Sequence, residues 1–270
     1  MIEDITIGQY VPGNSPIHKL DPRTKLSTVL VYMVALFVVN TFTGYLLVGL
    51  FTAAIIALSA LPLRFVLRGL RPLLVILIFT LVLNIFLTPG EVLAQAGPVA
   101  VTREGLLRGT FMALRLVFLV LGTSLLTLTT SPISLTDGLE RLLAPGKRIG
   151  IPAHELAMMM SIALRFIPTL IEETQKIMKA QAARGADFES GNVFQRARNM
   201  VPLLVPLFVS AFRRADDLAL AMEARCYRGG EGRTRMKEMH MSGRDFAALA
   251  VMFVFTVVAI YTRTLGGKVF

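Results

Sequence analysis

Two stretches organise this chain: HELAMMMSIALRFIPTLIEETQKIMKAQAARG, residues 154–185, and VPLLVPLFVSAFRRADDLALAMEARCYRGG, residues 201–230. Each begins apolar and acquires an acidic pair, Glu172-Glu173 in the first and Asp216-Asp217 in the second. The first ends in Ala183-Arg184-Gly185 and the second in Ala224-Arg225-Cys226. In the first, apolar residues recur at Leu156, Met160, Ala163, Ile167, Leu170 and Ile177, which is helical spacing. Its first half holds Met158-Met159-Met160 and little charge, whereas its second half carries Glu172, Glu173, Lys176 and Lys179. One end is therefore expected to be buried and the other to project into water. The second pattern runs from about Val193, and its apolar run, Val201 to Phe212, is too short for a full span. Pro168, Pro202 and Pro206 are expected to bend these helices. Ala211, Ala215 and Ala219 recur at every fourth residue, a spacing of small residues that lets helices cross closely. The expectation is two long helices that cross, each with a cation in its last turn where the helix dipole favours one.

Working outward, the composition is that of a membrane protein. The chain is 54% hydrophobic and 17% charged, with a mean hydropathy of +0.64, against roughly 45–50% and about 25% in soluble domains. The net charge of +10 accompanies membrane spans and no nucleic-acid motif, so nucleic acid is not an expected partner. Cys226 is the only cysteine, so no disulfide forms within the chain. Met1-Ile2-Glu3-Asp4 is acidic, unlike a secretory signal, and the first span is expected to direct insertion.

Five spans are expected, at residues 26–42, 45–63, 72–87, 109–130 and 246–261. Thr43-Gly44 makes the first turn in this reading. Lys19, Arg23, Lys25, Arg64, Arg68, Arg71 and most cations of 131–244 fall on one side, leaving Arg103, Arg108, Arg263 and Lys268 on the other. The excess of cations places the amino terminus and 131–244 in the cytoplasm and the carboxyl terminus outside. His18 to Lys25 reads as a basic flank of the first span. Arg115 is expected to snorkel to the interface, and Asn84 to hydrogen-bond between helices. Ser131-Pro132 opens a short interfacial helix, 133–143. The fold class is thus an all-α membrane protein. It has an amino-terminal membrane domain, 1–130, a coupling module of one short and two long crossing helices, 131–244, and a last span with its tail, 245–270.

No phosphate-binding G-x-x-x-x-G-K-[S/T] stretch occurs, and His18, His154 and His240 are scattered without a zinc pattern. No cofactor, metal or catalytic set is expected. Three functional readings remain: a mechanical connector docked by its arginine tips into a separate ATPase, a self-sufficient secondary carrier, and, least favoured for want of a catalytic constellation, a membrane-bound enzyme.

The ordered set of Leu20-Asp21-Pro22-Arg23-Thr24-Lys25-Leu26, Ala183-Arg184-Gly185 and Ala224-Arg225-Cys226 resembles the transmembrane (T) component family of energy-coupling factor transporters, over nearly the whole chain. Cys226 departs from that family's glycine at the second motif. The resemblance implies two ABC-type ATPase subunits docked at Arg184 and Arg225, and one substrate-binding membrane (S) protein that captures a vitamin or metal ion. It also implies the cytoplasmic membrane of a bacterium or archaeon. Met158, Met159, Met160, Leu203, Leu204, Leu207 and Phe208 would hold the substrate-binding protein, or equally pack against this chain's own spans.

Overall fold

A computed structural model describes residues 10–96, 99–150, 152–186, 188, 192–230 and 239–265. Met1 to Asp4 and Lys268, used above for the leader and the orientation, lie outside the described residues. The chain forms two compact units, one within Glu140–Lys237 and one built from Gly8–Leu139 and Glu238–Phe270.

In the second of these, α1 (Pro22–Val38), α2 (Phe42–Ser59), a short α3 (Leu63–Arg68), α4 (Leu74–Leu87), α5 (Arg103–Thr129) and α9 (Gly243–Leu265) pack together. A small antiparallel hairpin, β1 (Val92–Ala96) with β2 (Val99–Thr102), joins α4 to α5. This hairpin was not expected from the sequence. The class is all-α, as expected. Five helical runs are long and apolar enough to cross a membrane: Phe42–Ser59, Leu63–Leu87, Arg103–Thr129, Ala153–Ala183 and Gly243–Thr264. The number matches the expectation but the membership differs. Helix α1 has 17 residues, one fewer than the shortest of these runs. The third span lengthens backwards through α3. The run 153–183, expected in the coupling module, qualifies because its first half is so apolar.

Sequence explains the helix ends. Asp21 caps α1, accepting from Arg23 N–H, and Pro22 follows at the first helical position, where no donor is needed. Thr41 caps α2, accepting from Gly44 N–H at 3.2 Å, so the turn is Val39 to Thr41 rather than Thr43-Gly44. Gly44 lies inside α2 and meets Thr262 of α9, where a Cβ would come within 3.1 Å of the Thr262 hydroxyl.

The core joins Tyr32, Ala35 and Leu36 of α1, Tyr45 and Val48 of α2, Phe111 of α5, and Met252, Phe255 and Ala259 of α9. Phe51 and Phe255 stack at 4.1 Å between ring centroids, and Tyr45 and Phe111 at 5.2 Å. Helix α4 lies on α5 through Gly105 and Gly109. A Cβ on Gly105 would stand 2.6 Å from the Asn84 carbonyl and 2.9 Å from that of Ile85. This G-x-x-x-G spacing permits backbone-to-backbone approach. Asn84 itself donates to Thr80 O of its own helix at 2.8 Å and lies 3.6 Å from Met112 Sδ of α5.

Two polar clusters tie the helix ends. Arg115 does more than reach an interface. It donates to Asn40 Oδ1 (2.8 Å), Val39 O (3.2 Å) and Tyr45 Oη (3.1 Å), and its guanidinium lies over the Phe37 ring. It thereby satisfies a carbonyl left open at the end of α1. The stretch 18–25 is likewise more than a basic flank. Lys25 is buried and donates to His18 O at 3.1 Å and Thr129 O at 3.0 Å. Asp21 N–H donates to the buried Asp245 Oδ1 at 2.7 Å. Asp245 Oδ2 accepts from the Ser242 amide and hydroxyl, each at 2.8 Å. Arg23 reaches Met239 O at 2.9 Å. One acidic side chain of α9 and one lysine of α1 therefore gather the starts of both helices and the end of α5.

Replacing Asp245 with alanine leaves the Asp21 amide and the Ser242 amide and hydroxyl without their acceptor. The variant is expected to lose roughly 1–3 kcal/mol, read as a fall in thermal midpoint in detergent. Gly105→Ala is expected to cost about 1–3 kcal/mol by prising α4 from α5.

Candidate coupling site

The other unit holds α7 (Ala153–Ala183) and α8 (Val193–Ala224), which follow α6 (Pro132–Leu143). Both helices run unbroken past their prolines, Pro168 in α7 and Pro202 and Pro206 in α8. Helix α8 starts with a capping box, Asn192 with Gln195.

Three contacts set how the pair lies. His154 at the start of α7 meets the end of α8: its Nε2 is 3.5 Å from the Tyr227 hydroxyl, and a Cβ on Gly230 would strike its ring. Midway, Glu173 accepts from the Ser210 hydroxyl and from Arg214 Nη2, the latter at 2.8 Å. Near the end of α7, Gln181 reaches Pro202 O at 3.4 Å. Numbers fall along one helix as they rise along the other, so the helices are antiparallel. At 1.5 Å per residue the levels of Arg184 and Arg225 are about 40 Å apart along the pair.

The inward stripe of α8 is Leu203, Leu207, Ser210 and Arg214, all buried or half-buried; of the alanine ladder Ala211 is half-buried, while Ala215 and Ala219 are exposed. The far part of the ladder is therefore not the crossing surface, which Leu203 and Leu207 make together with the Glu173 carboxylate, the Ser210 hydroxyl and the Arg214 guanidinium. Glu172-Glu173 was visible as a pair, but only the tertiary partner on α8 shows which member is used. Glu140 at 3.0 Å from His154 Nδ1 steadies the same end.

The two tips share one backbone design. Arg184 is the last partly helical residue of α7, at φ −90°, and Gly185 follows at φ +88°. Gly185 N–H donates to Ala182 O at 2.9 Å and Ala186 N–H to Gln181 O at 3.0 Å. Arg225 has φ −91°, and Cys226 follows at φ +54°. Cys226 N–H donates to Glu223 O at 2.8 Å and Tyr227 N–H to Met222 O at 3.0 Å. Both are Schellman endings, with a left-handed residue closing the last turn. The cysteine thus reproduces the glycine geometry, in a conformation that strains a side-chain-bearing residue. Both arginines are exposed, and neither has an ion pair among the described residues. Ala183, Gly185 and Ala224 are exposed beside them, as is Cys226.

The apolar candidates divide. Leu203 is buried and Leu207, Met158 and Met160 half-buried, whereas Met159, Leu204 and Phe208 are exposed. Val201, Val205, Val209 and Phe212 are exposed with them. Positions 201, 204, 205, 208, 209 and 212 form one helical stripe. Among the described residues no three of His, Cys, Asp and Glu gather as metal ligands would.

Residues 13–236 match the cobalt transport protein family, CbiQ. Relatives described as energy-coupling factor transporter transmembrane protein EcfT cover nearly the full chain. That of Thermosediminibacter oceani is 62% identical over 262 residues, covering 97% of this chain and 99% of the relative. That of Clostridium kluyveri is 60% identical over 270 residues, covering 99% and 100%. That of Bacillus subtilis is 50% identical over 264 residues, covering 97% and 100%. The chain belongs to the EcfT family. It is accordingly a multi-pass membrane protein and the transmembrane component of an energy-coupling factor transporter, which it forms with other subunits. Within an EcfT chain the paired arginine tips are the outstanding symmetrical feature of the long helices.

The left-handed residues make opposite forecasts. Gly185→Ala meets no neighbouring atom but forces alanine to positive φ, and is expected to destabilise the end of α7 by about 1–2 kcal/mol. Cys226→Gly relieves that strain and is expected to tighten the end of α8. Amide exchange at Ala186 and Tyr227 reads the two changes separately.

Proposed function

We propose that this chain is the coupling scaffold of an energy-coupling factor importer. It would carry the ATP-driven motion of two cytoplasmic ABC-type ATPases to a substrate-binding membrane protein, for uptake of a vitamin or a metal ion. The supporting observation is the pair of like-built, exposed arginine tips at opposite ends of one antiparallel helix pair. A separation of about 40 Å suits two separate docking partners better than one. Each arginine offers a planar fork to a carboxylate in a groove on its ATPase. The short residues around them, Ala183 with Gly185 and Ala224 with Cys226, leave the guanidinium as the leading contact.

A scaffold of this kind must convert relative motion of its tips into motion elsewhere. The Glu173–Ser210–Arg214 contact binds α7 to α8 midway between the tips, so displacement of either end moves the other helix. The exposed stripe of α8, from Val201 through Leu204 and Phe208 to Phe212, with Met159 of α7, is the surface we assign to the substrate-binding protein. Leu203, Leu207, Met158 and Met160 support it from within. In this reading the amino terminus and 131–244 face the cytoplasm of a bacterial or archaeal cell.

Arg184→Glu and Arg225→Glu, singly and together, test the reading. Each single change is expected to weaken co-purification of the ATPases by the equivalent of roughly 2–5 kcal/mol, and the double change to abolish assembly and uptake. Unchanged assembly overturns the proposal, as does ion-gradient-driven uptake by the isolated chain in liposomes, which would identify a self-sufficient secondary transporter.

A further inference from the structure

Between the end of α2 at Ser59 and the start of α4 at Leu74 lies a short basic segment, Pro62-Leu63-Arg64-Phe65-Val66-Leu67-Arg68-Gly69-Leu70-Arg71. It packs inward through Val66, which is 1% exposed within a cluster of Leu61, Leu121, Leu125 and Leu128. Gly69 sits against Ser124 of α5, where a Cβ would come within 2.7 Å of the hydroxyl. The inward face of the segment is thus committed to α5.

The outward face is cationic. At about 100° per residue, Arg64 and Arg68 share one side of α3, opposite Val66, and Arg71 opens the 3-10 turn that follows. All three are exposed. None has an ion pair among the described residues, and the sequence contains no Asp or Glu between Asp21 and Glu91. Arg68 is held over the Phe65 ring, 5.6 Å from its centroid. Leu63, Phe65 and Leu67 flank the arginines at 62%, 43% and 54% exposure. Three cations with no ion pair among the described residues and three bare apolar side chains therefore lie together on a surface segment that follows the membrane-length run Phe42–Ser59 and forms the first part of the next, Leu63–Leu87. Its place at a helix end puts it where hydrocarbon gives way to headgroups. An apolar body with a fork of guanidinium donors matches acyl chains with a phosphate.

We propose that Arg64, Arg68 and Arg71 form a binding site for the headgroup phosphate of an anionic phospholipid, with Leu63, Phe65 and Leu67 against its acyl chains. The site anchors the α2–α4 connection to the membrane surface. It is separate from the tips at Arg184 and Arg225.

The test uses the full chain in phosphatidylcholine nanodiscs carrying spin-labelled phosphatidylglycerol or spin-labelled phosphatidylcholine. The readout is the motionally restricted fraction of each label. Wild type is expected to hold phosphatidylglycerol at least about fivefold in preference to phosphatidylcholine, roughly the effect of one arginine at an anionic surface. That ratio should fall as salt rises. Arg64→Gln, Arg68→Gln and Arg71→Gln together are expected to bring it to within about twofold of one. The matching lysine triple keeps the charge that orders the spans and is expected to retain part of the preference. Should the glutamine triple insert wrongly, the single glutamine variants carry the same reading, each lowering the ratio. Equal retention of the two lipids by wild type overturns the proposal. So does a ratio untouched by the glutamine changes, or full displacement of the label by soluble glycerol phosphate. Loss of the restricted component on adding the ATPase subunits would assign this face to protein and overturn it as well.

Discussion

The antiparallel contact of α7 with α8 is the constraint on which the coupling reading rests. Had the two helices run parallel, their matching endings would sit side by side and present one doubled cationic knob. Because His154 lies against Tyr227 and Gln181 against Pro202, the same two endings are thrown to opposite ends. The polar bridge at Glu173 holds the register between them. A hydrophobic face alone would tolerate sliding by a turn; a carboxylate with two specific donors does not, because a slip strands a partly buried charge.

The tips illustrate how backbone geometry can outlive the residue that usually supports it. A left-handed residue is needed after each arginine so that the two following amides turn back onto the last carbonyls. Glycine meets that need at no steric cost. Cysteine meets it at Cys226 with some strain, and the two hydrogen bonds at 2.8 and 3.0 Å hold it there. What is kept in common is the direction in which the arginine leaves the helix.

In the membrane unit, the polar residues do their work at helix ends. Asp245 and Lys25 at one place, and Arg115 at another, satisfy amides and carbonyls that lipid could not. From the sequence Lys25 read as part of a basic flank and Arg115 as a side chain that snorkels to the interface. Their partners include the backbone groups Asp21 N–H, Thr129 O and Val39 O. Backbone partners leave no mark in the identity of residues.

Composition and periodicity were enough to establish an all-helical membrane protein, the existence of α7 and α8, and the two Ala-Arg endings, since hydropathy and helix-end chemistry are local properties. The ordered motifs were enough to suggest the family. Tertiary structure alone decided the antiparallel sense of the coupling helices, the use of Glu173 rather than the far part of the alanine ladder at their crossing, the hairpin at 92–102, and the close seating of α4 on Gly105 and Gly109. All but the hairpin, which pairs Val92 with Thr102 and Ala96 with Val99, depend on residues far apart in the chain meeting in space. A pattern repeated every three or four positions says that a helix has a face, and only packing says what that face meets.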